Sequence, residues 1–272
     1  MLGKILHTFK RYSPFEYEKQ EYKKHTSFVD CDENKSWDTR DQLNIFIHGY
    51  SAIVNEASEH NIIRNINQAT VPKSLLYLWS SGSLVKHFTS SQQVLDVLIG
   101  LQNTTILTVK KTEELFMHFK ENQSKAEIIG SSCLLQDLSK LLETHKASYP
   151  KINLIGHSLG ARMICSAIKE NQELSQKLNI HNVVFLGGAA PIQTDWEDIT
   201  DHIQGNVYNF YSKTDIVLML KPDTEKNLGR YEIPTQEHTK HRIHNVQVKY
   251  HHWDYWDNLS NIQKLILNLK VF

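Results

Sequence analysis

The stretch that decides the fold class is Ile152-Asn153-Leu154-Ile155-Gly156-His157-Ser158-Leu159-Gly160. Its first four residues form a short apolar run that predicts a buried strand, and the spacing of Leu159, Met163 and Ala167 predicts one face of a helix. Gly-His-Ser-Leu-Gly between them matches G-x-S-x-G, the pattern of a sharp strand-to-helix turn. Such a turn strains the serine backbone and needs small residues two positions before and after it. We therefore expect Ser158 to be lifted clear of a sheet.

Compact apolar runs of the same kind occur on both sides of this stretch. They predict further strands at 43–47, 75–79, 183–186 and 207–211. Strands that alternate with helical segments are typical of an α/β fold, in which helices cover both faces of a mostly parallel sheet. We predict one such domain over residues 41–272. An extension of residues 1–40 precedes it and adds a short strand or two at the edge.

A helical insertion is predicted at about 82–130. The interval between the strands at 75–79 and 152–155 is longer than one crossover helix needs, and the apolar spacing near 134–142 supplies that crossover. The surplus segment either adds packing to the sheet or forms a lid over a binding site. In the second case Val94, Leu98 and Phe116 are the candidate lid contacts.

Composition excludes several classes of function. Among 272 residues, 30 Lys and Arg balance 30 Asp and Glu, so overall charge does not favour nucleic-acid binding. No run of about eighteen apolar residues predicts a membrane-spanning helix. The charged start of the sequence is unlike a signal peptide, so we expect a cytoplasmic protein, or an effector exported without a cleavable signal. Three widely spaced cysteines predict no disulfide framework and a reducing compartment.

A serine at such a turn becomes a nucleophile when a histidine removes its proton and a carboxylate orients that histidine. On this topology the carboxylate and then the histidine follow the serine, each just past a strand. Asp215 follows the strand at 207–211 in a polar turn flanked by apolar residues, and it is the preferred acid. Asp195 and Asp198 follow the preceding strand and are the alternatives.

The preferred histidine is His252, and His251 is the second choice. Both come after a predicted strand at 245–250 and before a final helix with an apolar stripe over 255–269. Neighbouring residues on a loop point in different directions, so only one of the two can serve.

Two backbone N–H groups are expected to form an oxyanion hole. The first belongs to Leu159, at the start of the helix that follows the serine. The second belongs to Tyr50, which follows His48 and Gly49 at the end of the first core strand.

No metal and no cofactor is predicted. His238, His241 and His244 recur at intervals of three, but the segment before them contains Pro and Gly and is predicted to be a loop. No cysteine accompanies them, so the pattern indicates a solvated loop and not a zinc site.

Together these motifs resemble an α/β-hydrolase of the serine lipase and esterase superfamily over residues 43–272. Leu-Gly-Gly-Ala-Ala-Pro at 186–191, Tyr-Ser-Lys-Thr-Asp at 211–215 and His-Trp-Asp-Tyr-Trp at 252–256 are also similar to the hydrolase domain of the transmembrane-and-coiled-coil-domain family. That similarity favours His252 over His251. This sequence lacks the family's transmembrane segments, so membrane residence does not carry over.

The predicted function is a serine carboxylic-ester hydrolase that forms an acyl-enzyme through Ser158, Asp215 and His252. The apolar insertion favours a lipid or acyl-ester substrate, with peripheral contact to a membrane. Two alternatives stay open: a thioesterase or acyltransferase that uses the same triad, and a non-catalytic binding module of the same fold.

Overall fold

The computed structural model describes residues 26–37, 42–50, 52–53, 56–70, 72–81, 106–219 and 225–268, without the side chains of 106–116 and 268. The candidate lid contacts Val94 and Leu98, and the side chain of Phe116, lie outside this description. The lid therefore stays a prediction.

The described strands form one sheet. They are β1 (Ser27–Asp30), β2 (Gln42–Ile47), β3 (Lys73–Leu78), β4 (Lys151–His157), β5 (Ile180–Leu186), β6 (Val207–Tyr211) and β7 (Ile243–Gln247). Their order across the sheet is β1-β3-β2-β4-β5-β6-β7. β1, at one edge, is antiparallel to β3, and the other described pairings are parallel. The last strand begins two residues earlier than the sequence predicts, because Ile243 pairs with Val207.

Helices cover both faces of this sheet. They are α1 (Glu56–Ala69), α2 (Ile106–Ile129), α3 (Leu135–Thr144), α4 (Leu159–Glu170), α5 (Gln172–Lys177), α6 (Trp196–Asp201), α7 (Ile216–Met219), α8 (Asp254–Asp257) and α9 (Leu259–Asn268). Alternation along β2 shows how the two layers arise: Leu43 and Ile45 pack in the core on the side of α3 and α4, whereas Phe46 packs on the side of α1 and α9. The predicted α/β-hydrolase fold is confirmed.

A crevice follows from the strand order. The chain leaves β2 toward β3 on one side, whereas it leaves β4 toward β5 on the other. Where two neighbouring strands send their connections to opposite sides, a crevice opens at the carboxyl ends of those strands. The loop after β2 and the turn after β4 therefore meet at the same place.

A π-helical turn, Gly130–Leu134, joins α2 to α3 without a break in helical conformation. Gly130 is the contact point with α4, because a β-carbon there would lie 2.2 Å from the carbonyl oxygen of Met163. A partly exposed ion pair adds to the same contact, in which Arg162 of α4 donates to Glu127 of α2 at 2.7 Å. The backbone of the turn thus rests directly on the helix that begins after Ser158.

The final helix is not continuous, which corrects the single helix predicted over 255–269. Asn258 separates α8 from α9, with φ of −106°. Its side-chain amide donates to the carbonyl of Asp254 at 2.9 Å. Such local bonds from Asn compete with the helical hydrogen-bond pattern. The spacing of apolar residues carries no information about them, so it predicts one continuous helix.

We expect Gly130→Ala to lower the free energy of unfolding by about 1–3 kcal/mol, because the new methyl group must push the turn away from α4. Alanine is the better helix former, so its propensity acts in the opposite direction. Urea unfolding measures the difference.

The matched control is Ser132→Ala, a partly exposed position in the same turn, where we expect a change of no more than about 0.5 kcal/mol. A Gly130→Ala protein as stable as the parent would contradict the backbone contact with Met163.

Candidate active site

Ser158 is the entire turn between β4 and α4. Its backbone has φ of 53° and ψ of −120°, a conformation that residues with a side chain rarely adopt. The two flanking glycines make it possible. A β-carbon at Gly156 would lie 2.7 Å from the backbone nitrogen of Ala161, and one at Gly160 would lie 2.4 Å from the carbonyl oxygen of Ile47.

Hydrogen bonds to β5 and to the loop after it hold the turn in place. The N–H of Ser158 donates to the carbonyl of Leu186 at 3.1 Å, and the carbonyl of Ser158 accepts from the N–H of Ala189 at 2.8 Å. The strained residue is therefore fixed on both sides by neighbouring backbone.

The side chains of Ser158, His252 and Asp215 lie in one hydrogen-bonded line. The Oγ of Ser158 is 2.9 Å from Nε2 of His252, and Nδ1 of His252 is 2.8 Å from Oδ2 of Asp215. A carboxylate only accepts, so the proton of the neutral imidazole sits on Nδ1. Nε2 is then free to accept the proton of the serine hydroxyl.

Asp215 is fully buried and yet ionised. Burial alone would raise the pKa of its carboxyl group. The charge and hydrogen bond of His252, and the N–H of Leu218 at 3.0 Å from Oδ1, outweigh burial and hold the pKa below its ordinary value. The carboxylate therefore stays negative beside the imidazole.

The alternative residues lie elsewhere. Asp195 caps the start of α6 by accepting from the N–H of Asp198. Asp198 in turn accepts from the side chain of Gln172 at 2.8 Å. The side chain of His251 is exposed, and the backbone N–H of His251 donates to the carboxylate of Asp254.

The loop after β2 lies against the serine. A β-carbon at Gly49 would be 2.4 Å from Cβ of Ser158 and 3.1 Å from its Oγ, so a glycine is needed there. The peptide between Gly49 and Tyr50 therefore borders Ser158. Leu159 is the first residue of α4, at an end where backbone N–H groups lack helical partners.

His48 fixes the direction of that peptide. Its Nδ1–H donates to the carbonyl of Gly49 at 2.9 Å, and its Nε2 accepts from the N–H of Trp79 at 3.3 Å. In a trans peptide the carbonyl and the N–H point opposite ways. Holding the Gly49 carbonyl on His48 therefore turns the N–H of Tyr50 to the other side.

His157 supports the loop that carries His252. Its Nε2–H donates to the backbone carbonyl of His252 at 2.8 Å, and the two rings lie 4.9 Å apart. Burial and then the charge of His252 lower the pKa of His157 to about 3. Burial likewise lowers the pKa of His48 to about 4. Both imidazoles are therefore neutral near pH 7.

Sequence analysis missed these two supporting roles. The available signals are a histidine at the second position of G-x-S-x-G and a histidine directly before Gly49. Their partners are backbone carbonyls that come close only in the folded chain, so the motif alone does not identify them.

The middle of α2 reaches the same loop. The hydroxyl of Tyr50 is 2.6 Å from Nδ1 of His118, and the ring of Phe119 meets the ring of Tyr50 edge-on at 5.8 Å between centroids. This part of α2, which falls within the predicted insertion, is thus in contact with the loop after β2.

Other candidate groups have structural surroundings. Within the described residues, no cluster of three or more His, Cys, Asp or Glu could hold a metal ion. His238 pairs with Glu197 at 3.0 Å. Cys31, Cys133 and Cys165 are buried free thiols.

No helix in the described part of the chain is long and apolar enough to cross a membrane.

Comparison with known proteins gives a family and several likenesses. Residues 123–267 match the family described as "Protein of unknown function (DUF726)". A phospholipase A1 from Polybia paulista is 37% identical over 119 residues, which are 38% of this chain and 36% of that enzyme. The chain thus matches only about a third of the length of that curated relative.

Solved structures with remote likeness include two esterases. The Pyrococcus furiosus esterase Pf2001 has a TM-score of 0.45 at 12% identity, over 98% of this chain and 97% of that chain. Est1E from Butyrivibrio proteoclasticus has a TM-score of 0.42 at 11% identity, over 90% and 93%.

We expect the protein to lose stability in mild acid, because His157 stays neutral in the folded state. The unfolded chain binds a proton below the ordinary histidine pKa of 6.5, so the free energy of unfolding falls as pH falls from about 6.5 toward 3. For His157 this amounts to roughly 2 kcal/mol between pH 7 and pH 5. Urea unfolding of the parent and of His157→Gln at both pH values measures it, and the variant should lose less.

His60→Gln is the matched control, because His60 is exposed on α1. It should keep the pH dependence of the parent. An identical pH dependence in His157→Gln would mean that His157 is charged in the folded protein.

Proposed function

The chain belongs to the DUF726 family, described as a protein of unknown function, and we propose from the chemistry of its own site that it is a serine carboxylic-ester hydrolase. One observation carries this proposal: Ser158 Oγ, the His252 imidazole and the Asp215 carboxylate form a buried hydrogen-bonded line. A nucleophile, a base within reach of its proton and a group that orients the base are what acyl transfer requires.

In the first half of the reaction, Ser158 Oγ attacks the carbonyl carbon of the ester while its proton passes to Nε2 of His252. The ionised Asp215 stabilises the imidazolium that forms. When the tetrahedral intermediate collapses, the proton on Nε2 goes to the leaving alcohol, and the acyl group remains on Ser158.

In the second half, water attacks the acyl-enzyme and His252 takes its proton. Collapse of this second intermediate returns the proton to Ser158 and releases the carboxylic acid. No cofactor takes part in either half.

The negative oxygen of both intermediates is held by the N–H groups of Leu159 and Tyr50. The first is at the positive end of α4. The second belongs to the peptide that His48 orients and that borders Ser158 through Gly49. Donors that are fixed before the substrate binds need no reorganisation during the reaction.

Apolar acyl esters are the substrate class that the surroundings favour. Three exposed apolar side chains follow or adjoin site residues in the chain: Trp253 after His252, Met219 shortly after Asp215, and Met117 beside His118. A contiguous exposed apolar patch is typical of a surface that meets lipid or another apolar partner, and we infer that these three side chains contribute to one. The phospholipase A1 likeness supports the same class, and we infer peripheral contact with a lipid surface.

A fluorophosphonate tests the proposal directly. We expect one phosphonyl adduct on the wild-type protein, because His252 makes Ser158 nucleophilic, and none on Ser158→Ala. Intact mass measures the adduct, and a thermal melt shows that the Ser158→Ala protein is folded. An adduct that persists on Ser158→Ala, or none on folded wild-type protein with detergent micelles present, would overturn the proposal. A panel of phospholipids and soluble acyl esters then defines the substrate.

The acid assignment has its own test. Asp215→Ala should lower kcat on the order of 10⁴-fold, because the imidazole loses the group that sets its tautomer and stabilises its charge. Asp198→Ala is the control and should leave kcat within a few-fold, since its carboxylate contacts Gln172 and His202 and none of the three proposed triad residues. Initial rates on the best ester measure both, and equal losses would contradict the role of Asp215.

A further inference from the structure

A cavity lies along the face of the sheet that α9 covers, and it begins at the end of the sheet opposite to Ser158. Its volume is about 610 Å³, within the range of small-molecule sites in proteins. It lies between the sheet and α9, and its mouth includes the first residues of β2 and β4, Gln42 and Lys151. The described lining does not include Ser158, Asp215 or His252, so this cavity is separate from the candidate active site.

The lining changes from polar to apolar along three adjacent strands. Successive residues on the cavity side of β2, β4 and β5 run Gln42, Asn44, Phe46; Lys151, Asn153, Ile155; and Asn182, Val184, Leu186. Each strand thus presents amides or a cation at its start and apolar side chains farther on. Leu259, Ile262 and Ile266 of α9 complete the apolar half.

Hydrogen bonds fix the direction of the amides at the polar end. The N–H of Asn182 donates to Oδ1 of Asn153 at 3.2 Å, which decides which end of the Asn153 amide is the oxygen. The Nδ2 of Asn153 then donates to Oδ1 of Asn44 at 2.9 Å. The Nδ2 of Asn44 is left as a donor without a partner among the described residues, although Asn44 is only 5% exposed. The row of amides therefore ends in N–H groups that face the cavity and suit an acceptor.

The charges of the lining also suit a negatively charged ligand. No Asp or Glu occurs among the described lining residues. Lys151 is exposed at the mouth. Arg242, by contrast, already donates to the backbone carbonyls of Thr200, Ile203 and Gly205, so its role is structural.

We propose that this cavity binds a long-chain fatty acid. The carboxylate lies at the polar end, where it accepts from Asn44 and faces Lys151, and the chain runs between the sheet and α9 toward Leu186. A fatty acid is also the class of product that the proposed ester hydrolysis releases, but the site does not depend on that activity.

Titration with a fluorescent long-chain polyene carboxylate tests the proposal. We expect saturable binding of one molecule per chain, with equal affinity in the wild-type protein and in Ser158→Ala. The matching long-chain alcohol should bind several-fold more weakly, because it lacks the negative charge. Absence of saturable binding in both proteins would overturn the proposal.

The head group is tested at the mouth. Lys151→Glu should weaken binding of the carboxylate several-fold and leave binding of the alcohol unchanged. Lys177→Glu is the matched control, an exposed lysine on α5 outside the cavity, and should change neither. Equal weakening of both probes by Lys151→Glu would contradict the placement of the carboxylate.

The tail is tested from the helix side. Ile266→Trp fills the apolar half and should abolish binding of both probes, whereas Lys264→Trp, exposed on the same helix, should not. Binding that survives Ile266→Trp would locate the probe elsewhere and overturn the proposal. If fluorophosphonate does not label the protein but the carboxylate binds in this pattern, the proposed hydrolase activity is overturned and the proposed fatty-acid site stands.

Discussion

The backbone of α4 passes against the carboxyl end of β2 with no side chain between them. At Gly160 even one methyl group would meet the carbonyl oxygen of Ile47, and at Gly49 it would meet the side chain of Ser158. This contact places the serine, the first N–H of α4 and the loop after β2 within one small volume. The contact forms because β2 and β4 are neighbouring strands whose connections leave in opposite directions. Gly49 and Gly160 thus set the separation between β2 and α4, and the remaining side chains of the site pack around it.

Three imidazoles share this volume, and each has one tautomer. Asp215 places the proton of His252 on Nδ1, the carbonyl of His252 places that of His157 on Nε2, and the carbonyl of Gly49 places that of His48 on Nδ1. Burial keeps His48 and His157 neutral. Neither therefore adds a positive charge that would oppose protonation of His252 in the proposed reaction. In the proposed reaction only the His252 imidazole exchanges protons, while the other two hold the backbone in place.

Sequence patterns predict those parts of the molecule that depend on local spacing. The apolar runs predict the parallel strands, and the glycines around Ser158 predict its turn, because period and turn chemistry are local. The break at Asn258 and the supporting bonds of His48 and His157 escape prediction, since each depends on a partner that the fold supplies. The polar-to-apolar change along β2, β4 and β5 is visible in the sequence, but its meaning requires knowing that these strands are adjacent.

The π-helical turn at Gly130–Leu134 joins α2, which contacts the loop after β2, to α3, which packs on the sheet. A π turn accommodates one residue more than the α-helix would at that point. With one residue fewer, everything before it would rotate by about 100° relative to everything after it. His118 would then face away from Tyr50, whereas α3 would still pack on the sheet. The number of residues in this turn therefore fixes the rotation of α2 relative to α3. It sets which side of α2 meets the loop beside Ser158, so that a deletion about three helical turns from His118 would change the surroundings of Ser158.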